Sequence, residues 1–417
     1  MTTERKVDVT EHTGRPDFGA LAGVKVVHAT NNIAAPFAAQ LMAEYGADVI
    51  WIENPRFPDA IRTEFAGEQE RRNQRTIALN IAVPEGREVL SRLLANADIF
   101  IESSRGGHFA RWGLTDEVLW EWNPALVIAH VSGFGQDGLP EFVSKPSYDV
   151  IAQAFSGYMH QNGYPDRPPV AAFPYLADYF TGLFTCTSAL AALHRARATG
   201  EGESIDVAQF EVMVRCQAWH MQEYLNAGRT WGRHGSKSDM YACEGVYECG
   251  DGKPVALQAF GAPLLKTLIE FLGLEYGSAD LPDGLVNALI GSPGGDRLQS
   301  AVEAYCASKP AEQIAEELAG IGVPCTVVMD YPMITQHPHF LARDVFVEWE
   351  GVDGSVVKGV NVIPRFKKSP GQVWRGAPSI GMDNGEILGG LGFSQSEIAA
   401  LYEAGVIRSE SQDLAPI

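Results

Sequence analysis

Asp178 is the residue of this chain that could most directly do chemistry, and it stands where an irregular segment turns into a long apolar stretch. Apolar side chains from Phe180 to Leu193 recur at the i, i+3, i+4, i+7 spacing of a half-buried helix, and Gly200 follows as a helix stop. A carboxylate in the first turn of that helix meets unpaired backbone N–H groups and the positive end of the helix dipole, so we expect it to be ionised. Such a carboxylate can attack an activated carbonyl and form a covalent intermediate, or it can serve only as a helix cap.

Arginines are the candidate ligands for a phosphate group. Arg105 and Arg111 flank a Gly-Gly pair directly after a predicted strand, and ligands of open α/β folds bind at this carboxyl edge of a parallel sheet. Arg75, which follows Asn73 and Gln74, is a similar case. A guanidinium group can give a phosphate two parallel hydrogen bonds, whereas the alternative is that these arginines are solvated loop charges.

Several common site motifs are missing from the sequence. The turn between Ala29 and Pro36 lacks the G-x-G-x-x-G glycines with which a dinucleotide-binding fold approaches pyrophosphate. There is no G-x-S-x-G elbow, no H-E-x-x-H motif and no Walker loop. His337 and His339 lie close together without a further Cys or His nearby, so the sequence predicts no metal site, because zinc takes three or four protein ligands.

Composition bounds the class of protein. The 417 residues predict two or three domains, and the formal net charge of −20 argues against nucleic-acid binding, which relies on Lys and Arg. No apolar run approaches the roughly 20 residues that span a bilayer, so we expect no membrane partner. The six cysteines are scattered without a C-x-x-C pair, which predicts buried free thiols and a cytoplasmic location.

Helix and strand patterns alternate in the first half of the chain, which predicts an α/β fold with a parallel sheet covered on both faces. The predicted strands are 24–30, 48–53, 98–103, 125–135 and 204–207. The predicted helices are 36–45, one from Pro84, one around 115–121, the helix near Asp178, and one that ends near Gly228. A polar stretch with several arginines follows the second of these strands.

The second half of the chain differs in character. The polar residues 229–240 predict a linker, and residues 245–260 and 345–360 each predict a β-hairpin. Helical patterns around 262–272, 297–307 and 310–320, with a strand at 324–329, predict a smaller second domain. Ser394 and Glu397 have the spacing of a capping box at the start of a last short helix.

Taken in order, these segments resemble the class III CoA-transferase family (CaiB/BaiF type). The matching segments are LAGVKVVHAT, AAPFAAQLMAEYGADVIWIEN, RRNQRTIALNI, DIFIESSRGG, FARWG, LVIAHVSGFGQDG, SYDVIAQAFSGYMHQNG, FPYLADYFTG, ARATGEGESIDVAQFE and PRFKKSPGQVWRGAPSIGMDN. All but the last lie in residues 20–225 and cover most of that range. An ordered set of this length is a more specific signal than any one of its members.

The resemblance implies an architecture and an assembly. A large Rossmann-like domain would occupy residues 1–226 and be completed by 386–417, with a smaller α+β domain in residues 241–340. Segments 227–240 and 341–385 would connect them. The resemblance further implies an interlocked homodimer that takes CoA thioesters as substrates and needs no metal and no permanently bound cofactor.

The resemblance also assigns roles to individual residues. Asp178 matches the catalytic aspartate of the family. The positions that match CoA-binding residues are Ile33, Ala34, Asn73, Gln74, Arg75, Arg105, Arg111 and Tyr148. Among them, Arg105 and Arg111 match positions near the CoA phosphates, and Tyr148 matches a residue that lines the thiol arm.

Some positions depart from the family pattern. Asn54 stands where the family has a basic residue, and Trp112 stands where the carnitine-specific members have a second arginine. The sequence LQAFGAPLL replaces the glycine-rich loop of the oxalate-specific members, which argues against oxalate as the acceptor. Tyr148 replaces the histidine of the related racemases, so one of the two bases that racemisation needs is missing.

Within the family, segments such as GLTDEVLWEWNP and AQAFSGYMHQNG are most similar to members that act on L-carnitine. This similarity implies transfer of CoA between γ-butyrobetainyl-CoA or crotonobetainyl-CoA and L-carnitine, through a mixed anhydride at Asp178. The open alternatives are a class III transferase for another small carboxylic acid, an acyl-CoA racemase, and a CoA-binding module without turnover.

Overall fold

The chain divides into two units, which we describe in a computed structural model covering residues 14–62 and 64–410. The ranges of the first unit are Met1–Tyr158, Ala171–Arg229 and Arg343–Ile417, and those of the second are Met159–Val170 and Thr230–Ala342. The second unit is therefore inserted into the sequence of the first. Residues 1–13 and 411–417, which the resemblance assigns to the large domain, lie outside the described residues.

Twelve strands occur in the described part of the chain. They are β1 (Lys25–Ala29), β2 (Asp48–Glu53), β3 (Arg75–Leu79), β4 (Ile99–Glu102), β5 (Val127–Ser132), β6 (Glu203–Ala208), β7 (Glu244–Glu248), β8 (Pro254–Gln258), β9 (Cys325–Val327), β10 (Phe346–Glu350), β11 (Val356–Val360) and β12 (Ile407–Arg408).

Seventeen α-helices occur in the same residues. They are α1 (Ala34–Glu44), α2 (Glu64–Arg71), α3 (Pro84–Leu94), α4 (His108–Arg111), α5 (Asp116–Trp122), α6 (Pro140–Val143), α7 (Asp149–Phe155), α8 (Leu176–Thr199), α9 (Gln209–Arg215), α10 (His220–Ala227), α11 (Ala262–Phe271), α12 (Pro293–Ala307), α13 (Ala311–Gly320), α14 (Tyr331–Gln336), α15 (Pro338–Ala342), α16 (Asn384–Gly390) and α17 (Gln395–Glu403). The predicted capping box is confirmed at the start of α17, where Ser394 and Glu397 bond each other's backbone amides.

The first unit is built on a seven-stranded sheet in the order β12-β3-β2-β1-β4-β5-β6. All neighbouring pairs are parallel except β12 and β3, which are antiparallel. The strands from β1 to β5 are nearly continuous buried runs, as expected when helices cover both faces of a parallel sheet. The predicted α/β class with a mostly parallel sheet is therefore confirmed.

Each face of the sheet packs against its own helices. Val26 of β1 belongs to a cluster that includes α1 and α8, whereas Val27 belongs to a cluster that includes α3, α5 and α17. Successive side chains of a strand point to opposite faces, so this alternation follows from the strand period of two. The two buried layers fix the position of the carboxyl ends of the strands.

A glycine brings α8 close to α1. A Cβ atom added at Gly182 would lie 2.7 Å from the carbonyl oxygen of Ala34 and 2.8 Å from Cδ1 of Phe37. Both distances are shorter than a non-bonded contact allows, so a larger residue would push the two helices apart. Because Asp178 lies one turn before Gly182, this close approach sets the distance between Asp178 and the start of α1.

Strand β3 and helix α2 were not predicted, and the arginine-rich stretch that contains them is not a solvated loop. Arg71, Arg72 and Arg75 are 1%, 0% and 2% exposed, and each forms a salt bridge to a buried carboxylate. Charged side chains are almost never fully buried unless they are paired, and here the pairing partners are far away in sequence. The alternative that Arg75 is a solvated loop charge is therefore wrong, and the polarity of this stretch did not indicate its burial.

The stretch after β6 also differs from the prediction. Instead of one helix ending near Gly228, two helices, α9 and α10, are separated at Cys216–Trp219. Ala218 in this break has a φ of 50°, which a continuing helix does not allow. Helix α9 therefore ends at Arg215, and α10 begins as a separate helix at His220.

The second unit contains the predicted hairpin and helices. Strands β7 and β8 pair antiparallel, and β9 adds to β8. Helices α11, α12 and α13 pack on this sheet around Leu265, Leu298 and Ile314. The second predicted hairpin, β10–β11, is also present and belongs to the first unit.

One described helix, α8, is long and apolar enough to cross a membrane by length and composition. Our expectation that no apolar segment reaches that length was therefore wrong for α8. Nine of its residues are buried inside the first unit, as in the core helix of a globular domain.

The buried pair of Arg72 and Glu44 gives a prediction for stability. Nη2 of Arg72 lies 2.6 Å from Oε1 of Glu44, and both side chains are buried. Because Glu44→Gln leaves the Arg72 charge without a counter-charge in the core, we expect it to lower the free energy of unfolding by about 3–5 kcal/mol. Urea unfolding of the two proteins measures the difference.

The matched control is Glu88→Gln, which removes the exposed partner of Arg92. Exposed pairs contribute little, so this change should cost less than about 1 kcal/mol. Equal effects of Glu44→Gln and Glu88→Gln would show that the buried pair contributes no more than the surface pair.

Candidate active site

A pocket of about 150 Å³ opens at the carboxyl ends of the strands of the first unit. The lining residues come from the segments that follow β1 and β4, from the end of β5 and the residue after it, from the segment before α7, and from the starts of α1, α8 and α9. They are Asn31, Asn32, Ala34, Ala35, Ser103, Val131, Ser132, Gly133, Ser147, Tyr148, Asp178 and Gln209. This edge of a parallel sheet is where α/β folds bind their ligands.

Asp178 is the one charged residue among those that line this pocket. It lies in the first turn of α8 and is 9% exposed. Nε2 of Gln209 donates a hydrogen bond to its Oδ1 at 2.5 Å. Among the described residues, no donor is hydrogen-bonded to Oδ2, so one oxygen of the carboxylate is held and the other is uncommitted.

Asp178 is not the cap of its own helix. Oδ1 of Asp149 accepts hydrogen bonds from the backbone amides of Ala177 at 2.7 Å and of Asp178 at 3.2 Å. These two amides belong to the unpaired donors at the start of α8, which Asp149 therefore caps from the start of α7. Of our two hypotheses for Asp178, helix cap or nucleophile, the first is wrong.

Asp149 is itself held in place by Gln153. Nε2 of Gln153 donates to Oδ2 of Asp149 at 2.6 Å and to the carbonyl oxygen of Ala172 at 2.9 Å. Oε1 of Gln153 accepts from the amide of Ala172 at 2.9 Å. Both oxygens of the Asp149 carboxylate are therefore engaged, and the segment that leads into α8 is fixed on the same side chain.

Burial, together with the smaller effect of the nearby carboxylate of Asp149, raises the pKa of Asp178 to about 6, although the hydrogen bond from Gln209 acts to lower it. This direction is opposite to the one we expected from the helix dipole. The helix amides that would stabilise a negative charge on Asp178 are taken by Asp149. Above pH 6 the side chain is still mostly ionised, so it can act as a nucleophile at neutral pH.

The loop opposite Asp178 is held by a buried ion pair. Asn32 has a left-handed backbone with a φ of 63°. Its amide donates to both carboxylate oxygens of Asp59 at 3.2 and 3.1 Å, and Nη2 of Arg71 donates to its carbonyl oxygen at 2.5 Å. Arg71 and Asp59 also bond each other at 2.6 Å. This pair fixes the turn that leads into α1.

The start of α1 supplies backbone donors to the pocket. The N-cap residue Ile33 gives no side-chain cap, and the next two residues, Ala34 and Ala35, line the pocket. The first amides of a helix have no partner within the helix. They are therefore candidate donors for an oxyanion that forms near Asp178.

The residues predicted from the sequence lie in three places. Ala34, Tyr148 and Asp178 come together in the pocket, and Tyr148 is 66% exposed. Arg105 and Arg111 are exposed and lie outside its lining. Nη1 of Arg105 donates to the carbonyl oxygen of Ser144, and Arg111 contacts His108.

Asn73, Gln74 and Arg75 are buried at and just before the start of β3, and they line neither this pocket nor the next one. The side chain of Asn73 bonds the backbone of residues 372–375, and Gln74 bonds the side chains of Gln40 and His28. Arg75 is paired with Asp48 and Glu386. Every one of these side chains holds the fold together, and a CoA contact through them stays a prediction.

A second pocket of about 130 Å³ lies at the same edge of the sheet, beside β1, β2 and β3. Asn54 and Trp112, the two departures from the family pattern, both line it. Trp112 packs edge-on against His108 with ring centroids 4.4 Å apart. At the two positions of this pocket where the resemblance implies a basic residue, the chain therefore has a neutral amide and an aromatic ring.

Two further predictions were that the chain has no metal site and that its cysteines are buried free thiols. Within the described residues, no group of three or more His, Cys, Asp or Glu side chains is arranged to hold a metal ion. All six cysteines are free; four are buried, but Cys216 and Cys325 are only half-buried. The expectation that every thiol is buried was therefore wrong for these two.

Sequence reasoning missed Asp149 and Gln209 as parts of the site. Asp149 bonds the amide of Ala177, which lies 28 residues later in the chain, and Gln209 lies 31 residues after its partner Asp178. The sequence contains only a weak indication of these roles, which is that Asp149 and Gln209 are polar residues at the first positions of α7 and α9. Only the fold shows that these helix starts meet.

Comparison of the chain with known protein families identifies its class. The sequence profile of CoA-transferase family III matches residues 21–384, which is most of the chain. The chain therefore belongs to CoA-transferase family III. It is a class III CoA-transferase, an enzyme whose substrates are CoA thioesters.

Solved structures agree with this assignment. A CaiB/BaiF family protein from Brucella suis is 26% identical, with a TM-score of 0.75 over 90% of this chain and 100% of that chain. The protein Rv3272 from Mycobacterium tuberculosis is 21% identical, with a TM-score of 0.75 over 88% and 99% of the two chains. A variant of Rv3272 with an aspartate replaced by alanine is 22% identical, with a TM-score of 0.77 over 89% and 99%. At these identities the mycobacterial structures support the fold alone.

The raised pKa of Asp178 gives a prediction for the pH dependence. Protonation would remove the negative charge with which Asp178 can attack a carbonyl, so kcat/KM for the acyl-CoA should be constant above about pH 7 and fall about tenfold per pH unit below pH 6. Initial rates between pH 4.5 and 8.5 measure this limb. Rates that stay nearly constant down to pH 4.5, as the ordinary aspartate pKa of 3.8 would give, would contradict the burial of the charge described here.

Proposed function

We propose that this enzyme transfers CoA between a betainyl-CoA donor, such as γ-butyrobetainyl-CoA or crotonobetainyl-CoA, and L-carnitine, through covalent adducts at Asp178. The observation that carries the covalent route is a buried carboxylate with one uncommitted oxygen in a pocket, while another residue, Asp149, caps its helix. A carboxylate without a cationic partner is a stronger nucleophile than a salt-bridged one.

The proposed reaction has four displacements. Oδ2 of Asp178 attacks the thioester carbonyl of the donor, the CoA thiolate leaves, and a mixed anhydride forms. The thiolate then attacks Cγ of Asp178, which releases the donor acid and leaves an aspartyl-CoA thioester. The acceptor carboxylate attacks Cγ and expels the thiolate, and the thiolate finally attacks the acceptor carbonyl of this second anhydride. Each step exchanges one carboxylate for one thiolate, so no oxidant and no external proton are needed.

The charge of the pocket supports a betaine as the acceptor. Its lining contains Asp178 and no Lys or Arg. A dicarboxylate such as succinate would bring a second negative charge near Asp178 without a cation to pair with it. L-carnitine brings its own quaternary ammonium group, and aromatic faces attract such cations by roughly 0.5–2 kcal/mol each.

The exposed arginines support binding of the CoA phosphates. Arg105 and Arg111 lie after β4 at the carboxyl edge of the sheet, and within the described residues neither forms a salt bridge. Their charges are therefore available to a phosphate. The backbone around Ile33 and Ala34 would lie beside the thiol arm, together with Tyr148.

The proposal includes a homodimer in the cytoplasm. Large apolar side chains are exposed on α7, α8 and α10, among them Ile151, Phe155, Phe184 and Leu225. Exposed apolar surface of this extent is typical of a protein–protein interface, and a second copy of the chain would cover it. The six free cysteines are consistent with a reducing compartment.

The covalent route predicts the effect of Asp178→Ala. Without the nucleophile, we expect CoA transfer to fall by about 10³-fold or more while acyl-CoA still binds. Hydroxylamine added during turnover should label the wild-type peptide that contains Asp178 and leave the variant unlabelled. The exposed Asp283→Ala is the matched control and should keep full activity. Retained transfer by Asp178→Ala would rule out this role.

The acceptor is tested by a panel of acids with γ-butyrobetainyl-CoA as the donor. We expect transfer to L-carnitine and little transfer to succinate or oxalate, because the pocket lining offers no cation for a second carboxylate. Mass spectrometry of the new acyl-CoA measures each product. Preferred transfer to a dicarboxylate would replace the carnitine assignment with another small acid, and no transfer to any acid would indicate a binding module.

A further inference from the structure

Gln209 is the side chain that donates a hydrogen bond to the reacting carboxylate of Asp178. It is the first residue of α9 and directly follows the edge strand β6. Ala208 lies beside Ser132 in the parallel pair of β6 and β5, so Gln209 emerges at the carboxyl edge of the sheet. The amide of Phe210 donates to the carbonyl oxygen of Gly133 at 3.4 Å, which ties the start of α9 to the pocket wall.

The hydrogen bond from Gln209 distinguishes the two oxygens of Asp178. Nε2 of Gln209 holds Oδ1, so the nucleophilic attack must use Oδ2. Oδ1 then becomes the carbonyl oxygen of the acylated side chain. Gln209 is only 5% exposed, and its N–H group already lies at hydrogen-bond distance from that oxygen before the reaction begins.

We infer that Gln209 is a catalytic residue that stabilises the oxyanion formed on Oδ1 of Asp178 during the reaction. The inference rests on the proposed covalent route and assigns Gln209 to two of its four displacements. When the CoA thiolate attacks Cγ of the anhydride, the carbonyl electron pair moves to Oδ1, and its return expels the donor carboxylate. When the acceptor carboxylate attacks Cγ of the thioester, the pair again moves to Oδ1, and its return expels the thiolate.

The other two displacements occur at the carbonyl of the acyl group and need a different donor. The uncapped start of α1, with Ala34 and Ala35 in the pocket lining, is placed to supply it. The two kinds of oxyanion would thus have separate donors on separate elements. This division makes the effect of removing Gln209 specific to attack at Cγ.

A neutral donor suits this role better than a cation. An Arg or Lys at this position would stabilise the ionised carboxylate in the ground state and so weaken the nucleophile. The amide of Gln209 bonds more weakly to the starting carboxylate, and preorganised donors of this kind act mainly where charge develops. Removal of one such donor typically lowers kcat by about 10²–10³-fold.

The test is Gln209→Met, which keeps the size of the side chain and removes the donor. We expect kcat to fall by about 10²-fold, with KM for the acyl-CoA within about threefold of wild type. In a single turnover with donor acyl-CoA alone, formation of the aspartyl-CoA thioester should slow by the same factor. Because the hydrogen bond from Gln209 lowers the pKa of Asp178, the acid limb of the rate profile should move to higher pH.

Gln209→Glu is a second variant of nearly the same shape. Its carboxyl group regains an O–H donor only when it is protonated, so its activity relative to Gln209→Met should rise as the pH is lowered from 8 to 6. Gln313→Met is the control for the substitution itself, because Gln313 is exposed in the second unit. A loss of packing alone would lower activity in both Gln209 variants without this pH-dependent recovery.

The outcomes separate this inference from the proposed function. If wild type forms the aspartyl-CoA thioester at Asp178 and Gln209→Met forms it within about threefold of the wild-type rate, the role of Gln209 is wrong and the covalent route stands. If wild type forms no adduct at Asp178, the covalent route fails, whatever the variants do. Slow formation of the aspartyl-CoA thioester in Gln209→Met, with unchanged KM for the acyl-CoA, supports the inference.

Discussion

The hydrogen bonds from the start of α8 to Asp149 are the interaction on which the active site depends. They satisfy the amides of Ala177 and Asp178 with a carboxylate from another helix. Without that partner, Asp178 would be the nearest group able to cap its own helix. Because Asp149 takes this role, Asp178 keeps one oxygen free in the pocket, and its pKa rises as burial and the second carboxylate dictate.

The rest of the first unit holds these two helix starts against the loop before α1. Gly182 lets α8 approach α1, and the buried pair of Arg71 and Asp59 fixes the turn at Asn32. A buried, unpaired carboxylate destabilises the folded state, and the surrounding core must offset that cost. The buried carboxylate at the site therefore lowers the stability of the first unit, and the well-packed core around the sheet offsets this loss.

The sequence predicted the sheet because its strands are continuous apolar runs, and it singled out Asp178 because a helix visibly starts there. It missed β3, because Arg72 and Arg75 give this buried segment a polar sequence. Their counter-charges, Glu44 and Asp48, lie elsewhere in the chain. The pairing of Asp149 with α8 and of Gln209 with Asp178 could not be predicted, because both join residues about 30 positions apart. Local patterns carry no information on such contacts.

The passage of oxygen between the acceptor and Asp178 tests the covalent account most directly. In the proposed route, the acceptor carboxylate forms the bridge of the second anhydride, and the bridging oxygen stays on Asp178 when the thiolate attacks the acceptor carbonyl. After turnover with an acceptor labelled with oxygen-18 in its carboxylate, mass spectrometry should find labelled oxygen in the peptide that contains Asp178. An unlabelled peptide after many turnovers would contradict the account.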